Sequence, residues 1–384
     1  MHNRQLIWPF SFYFIVSAAA AVYRPYLVLY YQSISLTGAQ IGLLVGVAPL
    51  VTMLSLPLVT GLADRTNRHS LVMRLSLLGA VIGLLAFPYL KTFILLFVLA
   101  LLLNIFLSAV FPLTNSAAML MLGERKHLYG RVRVGGTIGF SIAAIVAGAL
   151  VENYGLKIAF LGGAGLYLSA IFVNQQLVHA ARGTGEFPER GKVKDLLKNP
   201  QFLVLLLIGF AGGFSYVANS TFLFPYLDEL GASESVMGLA LTIGTIAEIP
   251  VLFFVSRFIQ RFKAFALLVF STAMVGLRFL LLVIAPNPAF VVVVQLLHGL
   301  THPLLSIAGV TYADQHAPPG LRATGQGLFN TALGGVGAAV GGLAGGLLFE
   351  SLGAKGMYLV FSVFILLVLA VVGFAKRRWF WQES

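Results

Sequence analysis

The chain has 384 residues, of which 59% are hydrophobic and only 10% charged, and its mean hydropathy is +0.92. A water-soluble domain of this length lacks the interior to bury so much apolar surface, and the absence of cysteine excludes a disulfide framework and a thiolate-bound metal centre. The formal net charge of +12 does not indicate a nucleic-acid binder, because the cations are spread between apolar runs instead of gathering on one solvated face.

A helix rises about 1.5 Å per residue, so roughly 20 apolar residues cross the hydrocarbon layer of a bilayer. Runs such as 203–223 and 357–375 meet that length. In chain order, helices are predicted at 8–31, 39–62, 71–90, 93–121, 129–151 and 158–178, and then at 202–227, 236–255, 264–285, 289–313, 323–349 and 357–375. The fold class is therefore an all-α polytopic membrane protein with twelve transmembrane helices. With the N-terminus inside, Arg65, Arg68, Arg125, Lys126, Arg131, Arg182, Arg190, Lys192, Lys194, Lys198, Arg257, Arg261, Lys263, Arg322, Lys376, Arg377 and Arg378 lie in or beside cytoplasmic segments. Only Lys91, Lys157 and Lys355 fall outside. That bias predicts a multi-pass protein of the cytoplasmic membrane with both termini in the cytoplasm. A cleaved signal peptide ending near Ser17-Ala18-Ala19-Ala20-Ala21 is the competing reading of the N-terminus; the apolar run, however, continues to Tyr31, and cleavage would leave an odd helix count.

The longest polar interruption, within 179–200, holds Arg182, Gly183, Gly185, Pro188 and Gly191 and reads as a cytoplasmic linker. It separates a six-helix bundle at 1–178 from a second at 201–384. The halves echo each other: Gly148-Ala149-Leu150-Val151-Glu152-Asn153-Tyr154-Gly155-Leu156-Lys157 matches the spacing of Gly346-Leu347-Leu348-Phe349-Glu350-Ser351-Leu352-Gly353-Ala354-Lys355. A weaker echo pairs Gly42 with Gly238 and Arg65 with Arg261. Two similar bundles joined by a cytoplasmic loop describe a transporter whose halves rock about a midplane site.

The loop Gly61-Leu62-Ala63-Asp64-Arg65-Thr66-Asn67-Arg68 resembles the loop signature of the major facilitator superfamily, although Thr60 and Asn67 stand where that pattern usually has glycine. Asp64, Arg65 and Arg68 are the expected conformational gate, since charge-assisted bonds between helix ends lock one state and release another. A solvated basic turn is the alternative. Tyr129-Gly130-Arg131-Val132-Arg133-Val134-Gly135-Gly136 is similar to a stretch shared by the lactose permease, phenylpropionate permease and nucleoside–proton symporter group of that superfamily. Pro112-Leu113-Thr114-Asn115, Glu248-Ile249-Pro250 and His298-Gly299-Leu300-Thr301 extend the resemblance. In that group a helix-four carboxylate partners the second arginine of the helix-five stretch, here Arg133; this chain carries Asn115 instead. The superfamily resemblance also implies a monomer.

Ionisable groups deep in a bilayer cost about 2.5–3.5 kcal/mol each on insertion scales, so they face a cavity or a partner. Five qualify: Arg24, Glu248, Arg278, His298 and His302. Counted along their helices, Glu248 lies at a depth of roughly 12 Å, His302 about 16 Å, and Arg278 and His298 about 21–22 Å. His298 and His302 are expected one turn apart on one helix face. A Glu–His–Arg cluster of that kind loads and releases protons, and the lactose permease resemblance implies the same roles for Glu248, Arg278 and His298, with His302 beside them. The competing readings are a static Glu248–Arg278 pair and a packing role for His302 next to Pro303. Arg24, among Tyr23, Tyr26, Tyr30 and Tyr31, suits an anionic or aromatic solute; snorkelling to the headgroups is its alternative. Arg24, Tyr26, Asn115, Arg133, Gln295 and Asn330 are the expected substrate contacts, and Asn104, Gln175, Asn219 and Gln326 are further polar residues suited to line a cavity. The glycines from Gly334 to Gly346 mark helix eleven as a packing helix.

No phosphate loop, His-Glu-x-x-His or Gly-x-Ser-x-Gly is present, so neither an ATP-driven pump nor an intramembrane enzyme is favoured and no cofactor is expected. The expected function is secondary active transport of a small organic solute, anionic or aromatic, by proton symport. The alternatives are proton-linked efflux or uncoupled facilitation of a drug, sugar or nucleoside. The expected partners are the solute, protons and the lipid bilayer, with no nucleic acid.

Overall fold

A computed structural model describes residues 4–178, 193–318 and 321–379. Among the described residues, eleven helices are long and apolar enough to cross a membrane: α1 (Gln5–Ser33), α2 (Gly38–Thr66), α3 (His69–Tyr89), α4 (Phe93–Lys126), α5 (Tyr129–Tyr154), α6 (Lys157–Asn174), α7 (Pro200–Glu229), α8 (Glu234–Phe262), α9 (Ala264–Val283), α10 (Pro288–His316) and a 54-residue run, Thr324–Arg377. Gly353 breaks that last run at φ +68°, so it supplies two spans, α11 before the break and α12 after it. The chain thus has the twelve-helix, all-α architecture expected from its sequence, with no strand among the described residues. Leu58 and Ile94 are each 72% exposed and Phe253 is 80% exposed, an outward apolar surface that suits lipid, not water. The linker residues 179–192, with Arg182, Arg190 and Lys192, lie outside the described residues; the rest of the linker holds a short helix, Val193–Lys198.

Local chemistry sets the helix ends. Thr37 and Gln40 form a reciprocal capping box at the start of α2, with Gln40 N donating to Thr37 Oγ1 at 3.3 Å and Thr37 N to Gln40 Oε1 at 3.0 Å. Asn199 caps α7 by accepting from Gln201 N at 2.9 Å, ahead of Pro200 in the first turn.

Two helices that the sequence presents as continuous are interrupted. In α1 a 3₁₀ turn, Arg24–Tyr26, replaces α geometry, because Pro25 has no N–H to continue the ladder. In α10 a 3₁₀ segment, Gln295–Leu300, leads to Thr301 at φ −99°, ψ −110°, ahead of Pro303. The α-helical spacing expected between His298 and His302 is therefore lost, and their side chains take separate partners. A π-helical turn, Thr331–Gly337, interrupts the start of α11, a distortion that inserts an extra residue per turn.

The chain forms two compact units. The first comprises Met1–Leu36, Leu50–Gly185 and Ala232–Ile246; the second comprises Thr37–Pro49, Glu186–Gly231 and Ala247–Ser384. Each unit thus includes a short helical stretch from the other sequence half. In the first, the start of α8 lies on α5: a Cβ on Gly148 would sit 2.6 Å from Glu234 O, one on Gly238 would be 3.4 Å from Gly148 Cα, and Ser235 N donates to Glu152 Oε2 at 3.1 Å. In the second, the start of α2 lies on α11, where a Cβ on Gly42 would be 2.8 Å from Leu343 O and one on Gly346 would be 2.5 Å from Gly42 Cα. The two glycine pairs that echo in sequence, Gly42 with Gly238 and Gly148 with Gly346, are the residues that permit these backbone contacts.

Candidate functional site

The second unit brings most of the expected proton-coupling residues together. Gly299 lets the backbone of α10 reach α8, since a Cβ there would collide with Ala247 O. That approach carries His298 to the next residue of α8, and His298 Nε2 lies 2.9 Å from Glu248 Oε1. On its other side, His298 Nδ1 lies 2.7 Å from a terminal guanidinium nitrogen of Arg278 on α9. The other terminal nitrogen of Arg278 donates to Gln295 Oε1, and Gln295 Nε2 donates to Val291 O at 3.1 Å. Thr301, 3.5 Å from Arg278 through its Oγ1, donates that hydroxyl to His298 O at 2.6 Å. Arg278, Gln295 and Thr301 are at most 3% exposed, whereas the Glu248 side chain is 27% exposed.

This sequence of bonds fixes a tautomer. Arginine has donors and no acceptor, so His298 Nδ1 accepts and the ring proton sits on Nε2, donated to the Glu248 carboxylate. A second proton on the ring would set N–H against N–H. Within this series, and while Arg278 holds its place, the Glu248 carboxylate is therefore the member with an acceptor left for a proton. The simple Glu248–Arg278 pair that the sequence left open is replaced by a carboxylate–imidazole–guanidinium series. His302 does not join it by a direct bond; its ring stacks on Tyr216 of α7, with centroids 4.1 Å apart.

In the first unit the expected binding residues are dispersed. Tyr13 donates its hydroxyl to Asn115 Oδ1 and lies 3.3 Å from the Tyr129 hydroxyl. Asn115 and Arg133 are both exposed. Arg24, exposed at the α1 break, donates its Nε to Tyr23 at 3.2 Å, and Tyr26 in the same turn is buried. Asn104 Oδ1 accepts from Thr52 at 3.4 Å. Asn330, in the second unit, is exposed immediately before the π-helical turn. A hollow of about 280 Å³ between α1, α5 and α6 is lined by apolar residues such as Phe14, Val22, Ile142 and Leu166, and it offers no group to orient a polar solute.

At the expected gate, Asp64 Oδ1 lies 2.7 Å from Nε2 of the buried His69, while Arg65 and Arg68 are exposed. The bond joins the end of α2 to the start of α3 through a residue that sequence reasoning did not select. His69 is one place beyond the loop signature. Tyr216 and Thr301 were also missed, because neither carries a charge to distinguish it from ordinary packing residues.

Comparison with known proteins places this architecture. Maltose permease of Geobacillus stearothermophilus is 29% identical over 98% of this chain and 95% of its own length. Xanthosine permease of Escherichia coli is 24% identical over 63% of each chain. In fold, the crystal structure of a variant of nucleoside transporter NupG overlays with a TM-score of 0.88 at 17% identity, over 97% of this chain and 99% of that one. The MFS_1 like family model matches residues 6–360, and the chain therefore belongs to that family of the major facilitator superfamily and is a membrane transporter.

Proposed function

We propose that the protein is a proton-coupled symporter that carries a small organic solute through the cytoplasmic membrane by alternating access, as a monomer with both termini in the cytoplasm. The observation that carries this reading is the Glu248–His298–Arg278 series, whose bonding leaves Glu248 as the proton acceptor. A proton on Glu248 removes the charge that His298 donates to and loosens the tie between α8 and α10. Exchange of that proton between two access states couples its movement to the solute's. Arg24, Asn115 and Arg133 of the first unit and Asn330 of the second, all exposed, are the solute contacts in this reading, and the cations favour an anionic solute; Tyr26 and Gln295, expected among them from the sequence, are almost fully buried, and Gln295 is bonded at both ends of its amide. Asp64, Arg65 and Arg68 serve as the gate.

A second reading of the substrate, a neutral polyhydroxylated ring, is favoured by the relatives named for maltose and xanthosine transport. Asn115, at the place where the resemblance to the lactose permease group implies a carboxylate partner for Arg133, leaves that arginine's charge uncancelled by it and supports the anionic reading. The test uses purified protein in proteoliposomes. With one proton carried per solute, a one-unit inward pH gradient supports up to about tenfold accumulation, because one unit is worth 1.36 kcal/mol. Glu248→Gln is expected to reduce accumulation to the equilibrium level while solute counterflow persists. Undiminished accumulation in that variant would end the proton-carrier assignment. Counterflow with a panel of aromatic acids, disaccharides and nucleosides decides the solute class.

A further inference from the structure

Among the described residues of the second unit, the buried polar atoms without a hydrogen-bond partner within the protein include Arg278 Nε, His302 Nδ1 and Asn219 Oδ1. They come from α9, α10 and α7, yet all three residues line one hollow of about 20 Å³, whose wall also includes Tyr216 and Phe279. Asn219 is 8% exposed, Arg278 3% and Phe279 1%. A buried donor or acceptor left unmatched carries the full penalty of its lost hydration, and three such atoms on residues lining one hollow call for a small partner able both to donate and to accept. A water molecule needs roughly 10–15 Å³ open to its centre and two to four polar neighbours. The hollow supplies room for about one.

We propose that a single resident water occupies this hollow, accepting from Arg278 Nε, donating to Asn219 Oδ1 and bonding His302 Nδ1. Asn219 becomes a positioning residue by this route. With its two terminal nitrogens held by His298 and Gln295, Arg278 gains a third anchor through Nε, and its guanidinium plane is fixed. The water also links Arg278 to His302, and through the ring stack to Tyr216, which is 39% exposed. A solute pressing on Tyr216 is thereby connected to the group that sets the His298 tautomer. The water site stands on geometry alone; its part in coupling rests on the symport reading above.

Hydroxyl-radical footprinting with X-rays tests the site, using the full-length protein in lipid nanodiscs mixed rapidly into water enriched in oxygen-18. A resident water exchanges slowly, so oxygen-16 label is expected on Phe279 despite its burial, while exposed residues take oxygen-18. Asn219→Leu should reduce that label at least tenfold, and Asn219→Asp, which keeps the acceptor, should retain it. Absence of label on Phe279 in the unaltered protein, or equal label in N219L, overturns the water site. For the positioning role, accumulation driven by a pH gradient should fall at least fivefold in N219L and recover in N219D; unchanged accumulation in N219L overturns that role while leaving the footprint to judge the water. Labelling is independent of Glu248, so loss of the symport reading would appear in E248Q and not in the footprint.

Discussion

The two units treat their polar side chains differently. In the second, Glu248, His298, Arg278 and Gln295 are joined bond to bond across three helices, and Arg278 and Gln295 are almost fully buried. In the first, the bonds run in shorter series, Asn115 with Tyr13 and Tyr129 and Arg24 with Tyr23, and the cations Arg24 and Arg133 are exposed. A buried ion is tolerated when hydrogen bonds compensate its lost hydration, and the two terminal nitrogens of Arg278 are so bonded, giving the second unit a network in which each member conditions the next. An exposed cation within a membrane-crossing helix is stabilised by an aqueous space or by the headgroups. In the symport reading proposed above, one unit holds the proton-binding group in a defined state and the other presents charge to the solute.

The largest expected effect that tests this contrast is at Arg278. Arg278→Met keeps the approximate volume and removes the donors to His298 and Gln295. Loss of about 2–4 kcal/mol of stability is expected, since two acceptors in a nearly dry interior lose their partner, and thermal unfolding in detergent should show it. The variant also frees His298 Nδ1, so His298 becomes able to take a second proton and the pH profile of transport should change shape. A double-mutant cycle with Gln295→Leu should give an interaction energy of about 0.5–3 kcal/mol. Strict additivity would mean that the series is a set of independent bonds.

A smaller effect, confined to solute handling, is expected at Arg133. Because its guanidinium is exposed, Arg133→Gln should leave unfolding within about 0.5 kcal/mol of the unaltered protein. For an anionic solute, KM should rise about tenfold, the loss of one charge-assisted hydrogen bond of about 1.5 kcal/mol. A KM within about twofold would select the neutral polyhydroxylated ring instead.

The sequence made much of this architecture legible, for identifiable reasons. Apolar runs of membrane-crossing length announce the helices because lipid tolerates little else. The echo of Gly148–Lys157 in Gly346–Lys355 was readable because backbone contact demands glycine: Gly148 meets the start of α8, Gly346 meets the start of α2, and Gly155 and Gly353 each turn the chain at positive φ, +79° and +68°. The echoing glutamates also sit at matching places, because Glu152 accepts from Ser235 N at the start of α8 and Glu350 lies against Gly38 at the start of α2. Glu248, Arg278 and His298 stood out because charge in an apolar run is costly and therefore conspicuous. Their order in the series did not, since it depends on the 3₁₀ segment before Pro303, which a continuous helical reading of 289–313 hides. His69, Thr301 and Tyr216 are ordinary residues by composition, and it is their partners in the fold, Asp64, Arg278 and His302, that give them meaning.

The smallest predicted effect is at the pair that most resembles a member of a network without being one. Tyr13 donates to Asn115 and lies near Tyr129, so it joins α1, α4 and α5. Tyr13 itself is 2% exposed, but Asn115 is exposed. Tyr13→Phe removes one donor and keeps the ring packed against Ala118, Leu122 and Val132. The acceptor left behind can turn to water, so the desolvation penalty that makes Arg278→Met severe is largely escaped. A loss of about 0.5–1.5 kcal/mol is expected, with proton-driven accumulation unchanged. An effect on accumulation as large as that at Arg278 would show that Tyr13 and Asn115 belong to a coupled network, and the contrast between the two units would dissolve.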